Sequence, residues 1–389
     1  MKSTARCRLG AESPFGLALP SGTPTASQLY APRGVFLNDD WLVAADTGNH
    51  RILLWCGLPT AAGQPADIVL GQSGFFTEGA NASGRGPSNG LRLPTGVTIH
   101  HGRLIVADAW NHRLLVWNTV PTASYTPPDF ALGQPNLEAV EPNQGGDVRA
   151  DTFYWPFSFG FVGDRFYVAD TGNRRVLGWP GLPSPGQLPD IILGQPDAHS
   201  RNENRDGPVS ACSFRWPHAI AGNRNVLYVA DAGNHRVLGW SGPPETDRDA
   251  DLVLGQKSFT TATEWPYVAQ GPIAMRFPYC LALQGDTLAV ADTANNRVLF
   301  WDHLPSTGAG IPATAVTGQL DFDHTGENHW KAVAPDTLCW PYGIALHNKI
   351  LAVADSGNNR ITLWDIDTDP PTLALPLPHT PATLALPSL

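Results

Sequence analysis

Short apolar runs separated by polar turns recur along most of this chain. The stretch Val43–Trp55 reads V-A-A-D-T-G-N-H-R-I-L-L-W, and five similar stretches follow it. Each copy has an Asp, an Arg five residues later and a Trp nine residues later. The Asp residues are spaced 61 to 63 positions apart and are Asp46, Asp108, Asp170, Asp231, Asp292 and Asp355. A fixed period of this length indicates a repeat fold whose neighbouring units bury each other's apolar faces.

Each unit carries the pattern of four antiparallel strands. A proline opens the first apolar run, a short polar turn leads to a second run ending in V-A-D, and R-V-L-x-W forms the third. Tight polar turns between β-branched runs are typical of hairpins. The fourth run is D-I-V-L-G-Q at 67–72, and it recurs at 129–134, 190–195, 251–256 and, in altered form, 314–319.

The sixth copy of the fourth run lies at the other end of the chain. Residues 6–11 contain L-G-A in place of L-G-Q, and Gly10 precedes Gly71 by 61 positions. We therefore predict an all-β fold, a six-bladed β-propeller of four-stranded antiparallel blades spanning residues 1–364. Residues 6–11 are its N-terminal strand and close the ring by joining the last blade. Residues 365–389, rich in Pro and Leu, are predicted to be a C-terminal tail.

The motif D-x-G-N-H-R-V-L-x-W strongly resembles the NHL repeat, six copies deep over residues 6–364. The L-G-Q-P strand followed by a long loop is similar to a bacterial subgroup of these propellers. Family members in bacteria sometimes accompany metalloenzymes such as uptake hydrogenases. The resemblance therefore implies a β-propeller and allows a role as accessory protein or subunit of such a redox complex, by analogy alone.

The charge balance limits the classes of partner. The chain carries 35 acidic and 25 basic residues, a net charge of −10. Nucleic-acid binding needs basic patches and anionic membranes repel an acidic surface, so we predict no nucleic-acid binding and no membrane insertion. Five scattered cysteines without a C-x-x-C pair indicate reduced thiols in a cytoplasmic protein. The sequence has no phosphate-binding loop or nucleophile elbow, so no cofactor and no catalytic residue is assigned.

Residues that repeat six times are predicted to be scaffold, and those that differ between units are the candidates for function. The residues directly after the first-strand prolines, at the expected channel mouth, are Arg33, Thr95, Phe157, His218, Tyr279 and Tyr342. The aromatic residues directly before those prolines are Trp155, Trp216, Phe277 and Trp340. An aromatic mouth with one Arg and one His suits a peptide or a small ligand. The alternative is that these side chains only fill the channel.

Trp110 lies at the tip of the turn after the second strand, where the other five units have small residues. Its equivalents are Gly48, Gly172, Gly233, Ala294 and Gly357. Because Trp is enriched at binding hot spots, we interpret Trp110 as a marker of the partner-binding face. Packing of Trp110 against the neighbouring long loop is the alternative.

Two sets of residues resemble metal ligands. NHL-like propellers that cleave peptidyl-hydroxyglycine place zinc-binding His residues after this proline in alternate blades, and the alternate set here is Thr95, His218 and Tyr342. A zinc site needs three protein ligands, and two are missing. One long loop also concentrates acids and imidazoles at Asp321, Asp323, His324, Glu327 and His329. Its spacing favours a solvated loop, so no metal site is assigned.

We therefore expect a non-enzymatic protein-binding or scaffold propeller, with another protein as its partner. The alternative is a small-ligand-binding protein or a lyase- or hydrolase-type enzyme with its site at the aromatic mouth. Stoichiometric metal bound at the channel would favour the enzyme, whereas capture of a partner would favour the scaffold.

Overall fold

The computed structural model describes residues 2–10, 22–264 and 270–367, and within them the chain forms six antiparallel sheets, the blades of a β-propeller. Strand β1 (Lys2–Gly10) lies in blade six. Blades one to three contain β2 (Gly34–Leu37), β3 (Trp41–Asp46), β4 (Arg51–Cys56), β5 (Ile68–Leu70), β6 (Gly96–His100), β7 (Arg103–Asp108), β8 (Arg113–Trp117), β9 (Phe130–Leu132), β10 (Pro156–Val162), β11 (Arg165–Asp170), β12 (Arg175–Trp179) and β13 (Ile191–Leu193).

Blades four to six complete the ring. Their strands are β14 (Pro217–Asn223), β15 (Val226–Asp231), β16 (Arg236–Ser241), β17 (Leu252–Leu254), β18 (Pro278–Gln284), β19 (Thr287–Asp292), β20 (Arg297–Trp301), β21 (Gly308–Ala309), β22 (Ala315–Thr317), β23 (Pro341–His347), β24 (Ile350–Asp355) and β25 (Arg360–Asp367). The two-residue β21 pairs in parallel with β17 and adds a fifth strand to blade four. The predicted order of strands is confirmed in every blade.

Short helical turns link these strands. A 3₁₀ turn follows each second strand, at Thr47–Asn49, Ala109–Asn111, Thr171–Asn173, Ala232–Asn234, Thr293–Asn295 and Ser356–Asn358. The residue after each turn has a positive φ of 53 to 56°, which reverses the chain into the third strand. The long loops between blades contain the helical turn Ala80–Gly84 and the 3₁₀ turns Pro87–Asn89, Pro142–Gly145, Glu203–Asp206 and Glu327–Trp330.

The hydrophobic core lies between the blades rather than inside any one of them. Each apolar cluster combines side chains from two adjacent sheets; for example, Val43 and Ile52 of blade one pack with Leu104 and Trp117 of blade two. The repeat Trp is 1 to 2% exposed in every blade. Each blade packs against a neighbouring blade on both of its faces. Successive residues of a strand point to opposite faces, so the inner strands need apolar residues at consecutive positions, as in the runs L-V-A-A and I-L-L-W.

The ring is closed by the N-terminal strand, as predicted. Strand β1 pairs antiparallel with β25, from Lys2 opposite Asp367 to Gly10 opposite Arg360. Gly10 has φ 98°, and a Cβ there would lie 2.6 Å from the carbonyl oxygen of Asn359, which explains why glycine occupies this point. The strand begins at Lys2, four residues before the predicted start, and it is nine residues long against three in the other outer strands. Strand β1 therefore pairs with β25 over more positions than β5, β9, β13, β17 or β22 does with its third strand.

The last strand continues to Asp367, three residues beyond the predicted end of the propeller at 364. Residue 11, the last of the predicted N-terminal strand, lies outside the described residues. So do residues 368–389, which make up most of the predicted tail. In the part of the chain that the structure describes, no helix has the length and apolar character needed to cross a membrane.

Candidate functional site

In each blade the Asp, Asn and Arg of the repeat form a buried group, here called the Asp–Asn–Arg cluster. In blade three, Asp170 Oδ2 accepts hydrogen bonds from Arg175 Nε and Asn173 Nδ2, both at 2.8 Å. The other Asp170 oxygen accepts from the backbone N–H of Tyr154 at 2.7 Å. The ion pairs, with N–O distances of 2.6 to 3.0 Å, are Asp46–Arg51, Asp108–Arg113, Asp170–Arg175, Asp231–Arg236, Asp292–Arg297 and Asp355–Arg360.

The Arg of each cluster uses its remaining donors on loop carbonyl groups. Arg175 Nη1 donates to Ala198 in the following loop at 2.8 Å, and its Nη2 donates to Arg149 and Thr152 in the preceding loop. One guanidinium therefore fastens both long loops to the turn between them. Because its donors are used inside the protein, the cluster is scaffold, as its sixfold repetition predicts.

The residue after the Asn of each cluster joins its blade to the next one. His112 Nδ1 accepts a hydrogen bond from the backbone N–H of Trp155 in blade three at 3.2 Å. Four other blades make the same bond at 2.8 to 3.3 Å, through His50 to Leu93, His235 to Phe277, Asn296 to Trp340 and Asn359 to Ala31. The pre-proline donors in these five bonds all have positive φ, between 45 and 51°. His and Asn are interchangeable here because each offers a side-chain acceptor.

The junction between blades three and four confirms this requirement for an acceptor. Its residue is Arg174, which can only donate. The equivalent N–H, that of Trp216, bonds instead to Asp231 of its own blade at 3.2 Å, and Trp216 does not have a positive φ. At the three junctions formed by His50, His112 and His235, the acceptor nitrogen must be unprotonated. Burial lowers the pKa of His112 to about 4, and it lowers the pKa of His50 and of His235.

A further repeated residue was missed by the sequence reasoning. Four of the long loops contain an Asn at positive φ whose side chain pairs with the cluster Asn of the next blade, 30 positions later. These Asn residues are Asn81, Asn143, Asn204 and Asn328. Between blades four and five, Gln270 replaces it as the acceptor for Asn295 at 2.7 Å. The signal was present, since Asn81, Asn143 and Asn204 recur at the repeat spacing within loops of unlike sequence.

The structure brings the predicted mouth residues together in a continuous circle, here called the mouth ring. Its aromatic and cation–π contacts run from Arg33 to Tyr342, Tyr279, His218, Phe157 and Trp110 and back to Arg33. Adjacent members are 4.3 to 5.6 Å apart, measured between ring centroids or from the guanidinium carbon to a centroid. These are stacking distances for aromatic and cation–π pairs, so the six side chains hold one another in place.

Blade two contributes Trp110 to the mouth ring in place of its post-proline residue. That residue, Thr95, is short and buried, and its hydroxyl donates to the carbonyl group of Phe157 at 2.6 Å. The half-buried Trp110 instead reaches Phe157 at 5.4 Å and Arg33 at 5.6 Å. The two departures from the repeat in this blade are therefore complementary, because the large residue occupies the space that the small one leaves.

Four polar side chains of the mouth ring have no polar partner in the part of the chain that the structure describes. Among the described residues, Arg33, His218, Tyr279 and Tyr342 make no side-chain hydrogen bond and no ion pair, and Arg33 Nε is a buried donor without an acceptor. Burial, assisted by the nearby Arg33 guanidinium, lowers the pKa of His218 to about 3. Burial also raises the pKa of Tyr279. The ring thus combines the guanidinium group of Arg33 with the unprotonated imidazole of His218 and with the hydroxyl groups of Tyr279 and Tyr342.

Below the mouth ring lies a cavity of about 290 Å³ along the propeller axis. First strands of all six blades line it, with apolar side chains such as Phe161, Leu283 and Leu346. Cys280 also lines it, and its Sγ lies 3.6 Å from the carbonyl oxygen of Ile344. Burial raises the pKa of this thiol.

The aromatic residues before the prolines lie outside the mouth ring. Trp155 stacks on Tyr154 and reaches the ring through Trp110, at 5.8 Å. Trp216 stacks on Phe277 at 6.2 Å. Trp340 is exposed, and its indole N–H donates to Glu327 at 2.9 Å. They form a discontinuous outer set rather than a second circle.

Large apolar side chains are exposed mainly at this end of the propeller. Of the six such side chains among the described residues, five lie in the loops between blades: Tyr30, Phe76, Leu320, Trp330 and Trp340. Hydrogen bonds from these loops to the turns after the second strands, such as Tyr30 N–H to Asp46, place them around the mouth. The sixth, Leu188, lies in the connection from β12 to β13. The loop surface around the mouth ring is here called the mouth face.

The acidic loop before blade six does not assemble its candidate ligands. His324 Nδ1 pairs with Asp321 at 2.6 Å, whereas Glu327 accepts from Trp340 and His329 Nε2 lies 3.1 Å from the carbonyl oxygen of Gly318. Within residues 2–10, 22–264 and 270–367, no three His, Cys, Asp or Glu side chains lie together as metal ligands would. His218 likewise has no second His beside it that could bind zinc, since the equivalent positions of the alternate blades hold Thr95 and Tyr342.

Comparisons with known proteins agree with the repeat. A family model described as the NHL repeat matches residues 91–117, which include β6, β7 and β8. Human NHL repeat-containing protein 2 is 23% identical over 92% of this chain and 49% of its own length. The chicken protein of the same name is 35% identical over 75 residues, 19% of this chain and 9% of that protein. This chain thus spans about half the length of the human relative.

Solved propellers of other families are similar only at a low level. The WD40 β-propeller domain of Doa1 is 10% identical, with 93% of this chain and 96% of that one aligned at a TM-score of 0.45. A streptogramin B lyase is also 10% identical, with 91% and 97% aligned at a TM-score of 0.44.

Proposed function

We propose that this chain, an NHL-repeat six-bladed β-propeller, is a non-enzymatic binding protein that presents its mouth face to another protein. The observation that carries the proposal is the distribution of exposed apolar side chains. Five of the six lie on the mouth face among the described residues, and Trp330 is 79% exposed. Large aromatic side chains that remain exposed to water are typical of protein interfaces.

Four of the five exposed side chains of the mouth face lie in one sector. Leu320, Trp330 and Trp340 belong to the loop between blades five and six, and Tyr30 to the loop between blades six and one. In the mouth ring, Arg33 comes from blade one and Tyr342 from blade six, the two blades that these loops precede. A partner bound over this sector would bury aromatic residues beside a cation, the composition found at the centres of many interfaces.

The remaining features favour a protein partner in the cytoplasm. A net charge of −10 disfavours nucleic acid and anionic lipid as partners. The cysteines in the described ranges are unpaired, which suits a reducing compartment. By resemblance alone, the partner could belong to a bacterial metalloenzyme system such as an uptake hydrogenase, with this chain as accessory protein or subunit.

The test is capture of a partner by the tagged full-length chain from a lysate of its own source, followed by identification of the captured protein. Trp330→Ser and Phe76→Ser together remove two exposed side chains of the mouth face. Each truncation at a hot spot costs about 2 kcal/mol of binding free energy, so capture by the double variant should fall strongly. The matched control is Leu188→Ser, which removes a side chain of similar exposure away from the mouth face.

Equal capture by the wild-type chain and the double variant, with both folded, would contradict the use of this face. Self-association of the purified chain that the double variant abolishes would identify a second copy, rather than a different protein, as the partner. An identified metalloenzyme subunit would support the narrower proposal, and an unrelated partner would overturn it.

A further inference from the structure

The side chain of Arg33 is a cation held in place without an anion. Its guanidinium carbon lies 4.7 Å from the ring centroid of Tyr342 and 5.6 Å from that of Trp110. These aromatic faces orient the guanidinium group but accept none of its N–H bonds in the plane. No carboxylate of the described residues approaches it, although each of the six scaffold arginines has its own Asp.

The surroundings of Arg33 are uncharged. Among the described residues, Arg33 is the one Asp, Glu, Lys or Arg that lines the channel cavity. The other polar groups of the ring, His218, Tyr279 and Tyr342, offer hydrogen-bonding atoms that have no partner within the described ranges. An aqueous mouth with low-dielectric aromatic walls strengthens the field of a single fixed charge. The electrostatic complement of this mouth is therefore one negative charge.

We propose that the channel mouth binds a small organic carboxylate with a compact apolar body, held by Arg33 and the neutral polar groups of the mouth ring. The planar guanidinium fork matches a carboxylate in two parallel hydrogen bonds. The imidazole of His218 and the hydroxyl groups of Tyr279 and Tyr342 supply the further donors that a carboxylate accepts. The apolar surfaces of the ring, which are Phe157 and the aromatic face of Trp110, suit an apolar or aromatic body.

The dimensions of the cavity limit the ligand. Its volume of about 290 Å³ lies at the lower end of the range for small-molecule sites, about 300 to 1,000 Å³. Glycines lie on five of the lining strands, among them Gly34 and Gly96, and let neighbouring first strands approach closely, since a Cβ at Gly34 would collide with the carbonyl oxygen of Thr95. A single-ring or branched-chain monocarboxylate fits this volume, and a folded protein segment does not.

The experiment measures binding of phenylacetate to the full-length chain by calorimetry, with the neutral isostere phenylacetamide as comparison. We expect saturable one-site binding of phenylacetate and at least about tenfold weaker binding of the amide, because the amide loses the charge-assisted hydrogen bonds. Arg33→Gln should weaken phenylacetate binding by about tenfold or more, and Arg33→Lys, which keeps the charge without the fork, should weaken it less. Tyr342→Phe, which keeps the aromatic face, should leave Arg33 in place and lower affinity slightly.

The matched control is Arg103→Gln, which removes an exposed arginine at the start of β7, at the other end of the first hairpin of blade two from Gly96. It should bind phenylacetate as the wild type does. Absence of binding, equal binding of the amide, or unchanged binding by a folded Arg33→Gln variant would each overturn the proposal. The same carboxylate chemistry could come from a small free acid or from the C-terminus of a peptide, and a peptide that ends in a free Phe carboxylate distinguishes them. Binding of that peptide without binding of phenylacetate would also overturn the proposal. The proposal is independent of protein capture, so either can fail alone.

Discussion

The Asp–Asn–Arg cluster and the mouth ring each draw on all six blades, yet they satisfy their polar groups in opposite ways. In the cluster, Asp170 and Arg175 bond to each other and to the backbone of two loops. In the ring, Arg33 and His218 bond to no polar group of the described residues. The cluster is the same in every blade, and the ring has no two adjacent members of the same type except Tyr279 and Tyr342.

The difference follows from where the two sets lie. Each cluster acts within one blade and its flanking loops, so the same local geometry recurs and selects the same residues. The six post-proline positions instead meet at one axis, where their side chains share a single space. Identical large residues would fill that space, and unlike residues can leave polar groups free for a ligand.

The largest expected effect is that of breaking one cluster. Asp170→Asn removes the charge opposite Arg175, whose side chain is completely buried, and an uncompensated buried cation costs about 3–5 kcal/mol. The free energy of unfolding, measured by urea denaturation, should fall by about that amount. The control Asp164→Asn breaks an ion pair with Arg224 whose side chains are 87% and 78% exposed, and it should cost less than about 1 kcal/mol. Similar losses in the two variants would show that the cluster does not carry the stability assigned to it.

A smaller effect is expected at the mouth ring. Trp110→Gly restores the small residue type of the other blades but removes the ring contacts with Phe157 and Trp155, and we expect a loss of about 1–2 kcal/mol in unfolding free energy. The folded Trp110→Gly variant should also capture less partner than the folded wild type does. The reciprocal change Gly172→Trp should be the more destabilising of the two, because a Cβ at Gly172 would lie 2.5 Å from the carbonyl oxygen of Tyr154. If Trp110→Gly lowers the free energy of unfolding as much as Asp170→Asn does, then Trp110 is part of the scaffold. The distinction between cluster and mouth ring would then not hold at this residue.

The smallest effect at neutral pH is expected for His112→Asn, since Asn296 and Asn359 already serve as acceptors at equivalent junctions. The effect should appear in acid. The pKa of His112 is lowered from 6.5 to about 4 in the folded chain, so the unfolded chain takes up the proton first as the pH falls. The stability from this junction is complete above about pH 6.5 and is lost progressively toward pH 4.

Thermal melting between pH 7 and pH 4 measures this difference. The melting temperature of the wild type should fall more steeply than that of His112→Asn, and the two curves should converge near neutrality. His303→Asn, which replaces an exposed histidine, should follow the wild type. Parallel curves for all three proteins would mean that protonation of His112 does not weaken the junction between blades two and three.

The sequence predicted the fold closely because the period of 61 to 63 residues, the prolines and the L-G-Q words are local signals that repeat. It also predicted closure by the N-terminal strand, from the position of Gly10. The sequence showed that the residue after the repeat Asn is His, Asn or Arg, but the reason, a shared need for an acceptor, required the bond to the next blade. The site was harder to predict from the sequence. The contact between Trp110 and Phe157, and the lack of a polar partner for Arg33 among the described residues, depend on side chains that the fold brings together from different blades.

Closure by β1 also imposes an order on synthesis. Arg6 and Asp365, which pair across the closing sheet, are 359 positions apart, so a nascent chain exposes β1 until nearly all blades have been made. Contacts of such separation form late, and a waiting strand can pair with the wrong edge. The basic residues of K-S-T-A-R-C-R-L-G and the bulge between Ala5 and Cys7 are features that discourage pairing with a foreign strand. On the ribosome, β1 therefore has to be a poor partner for every strand until β25 emerges.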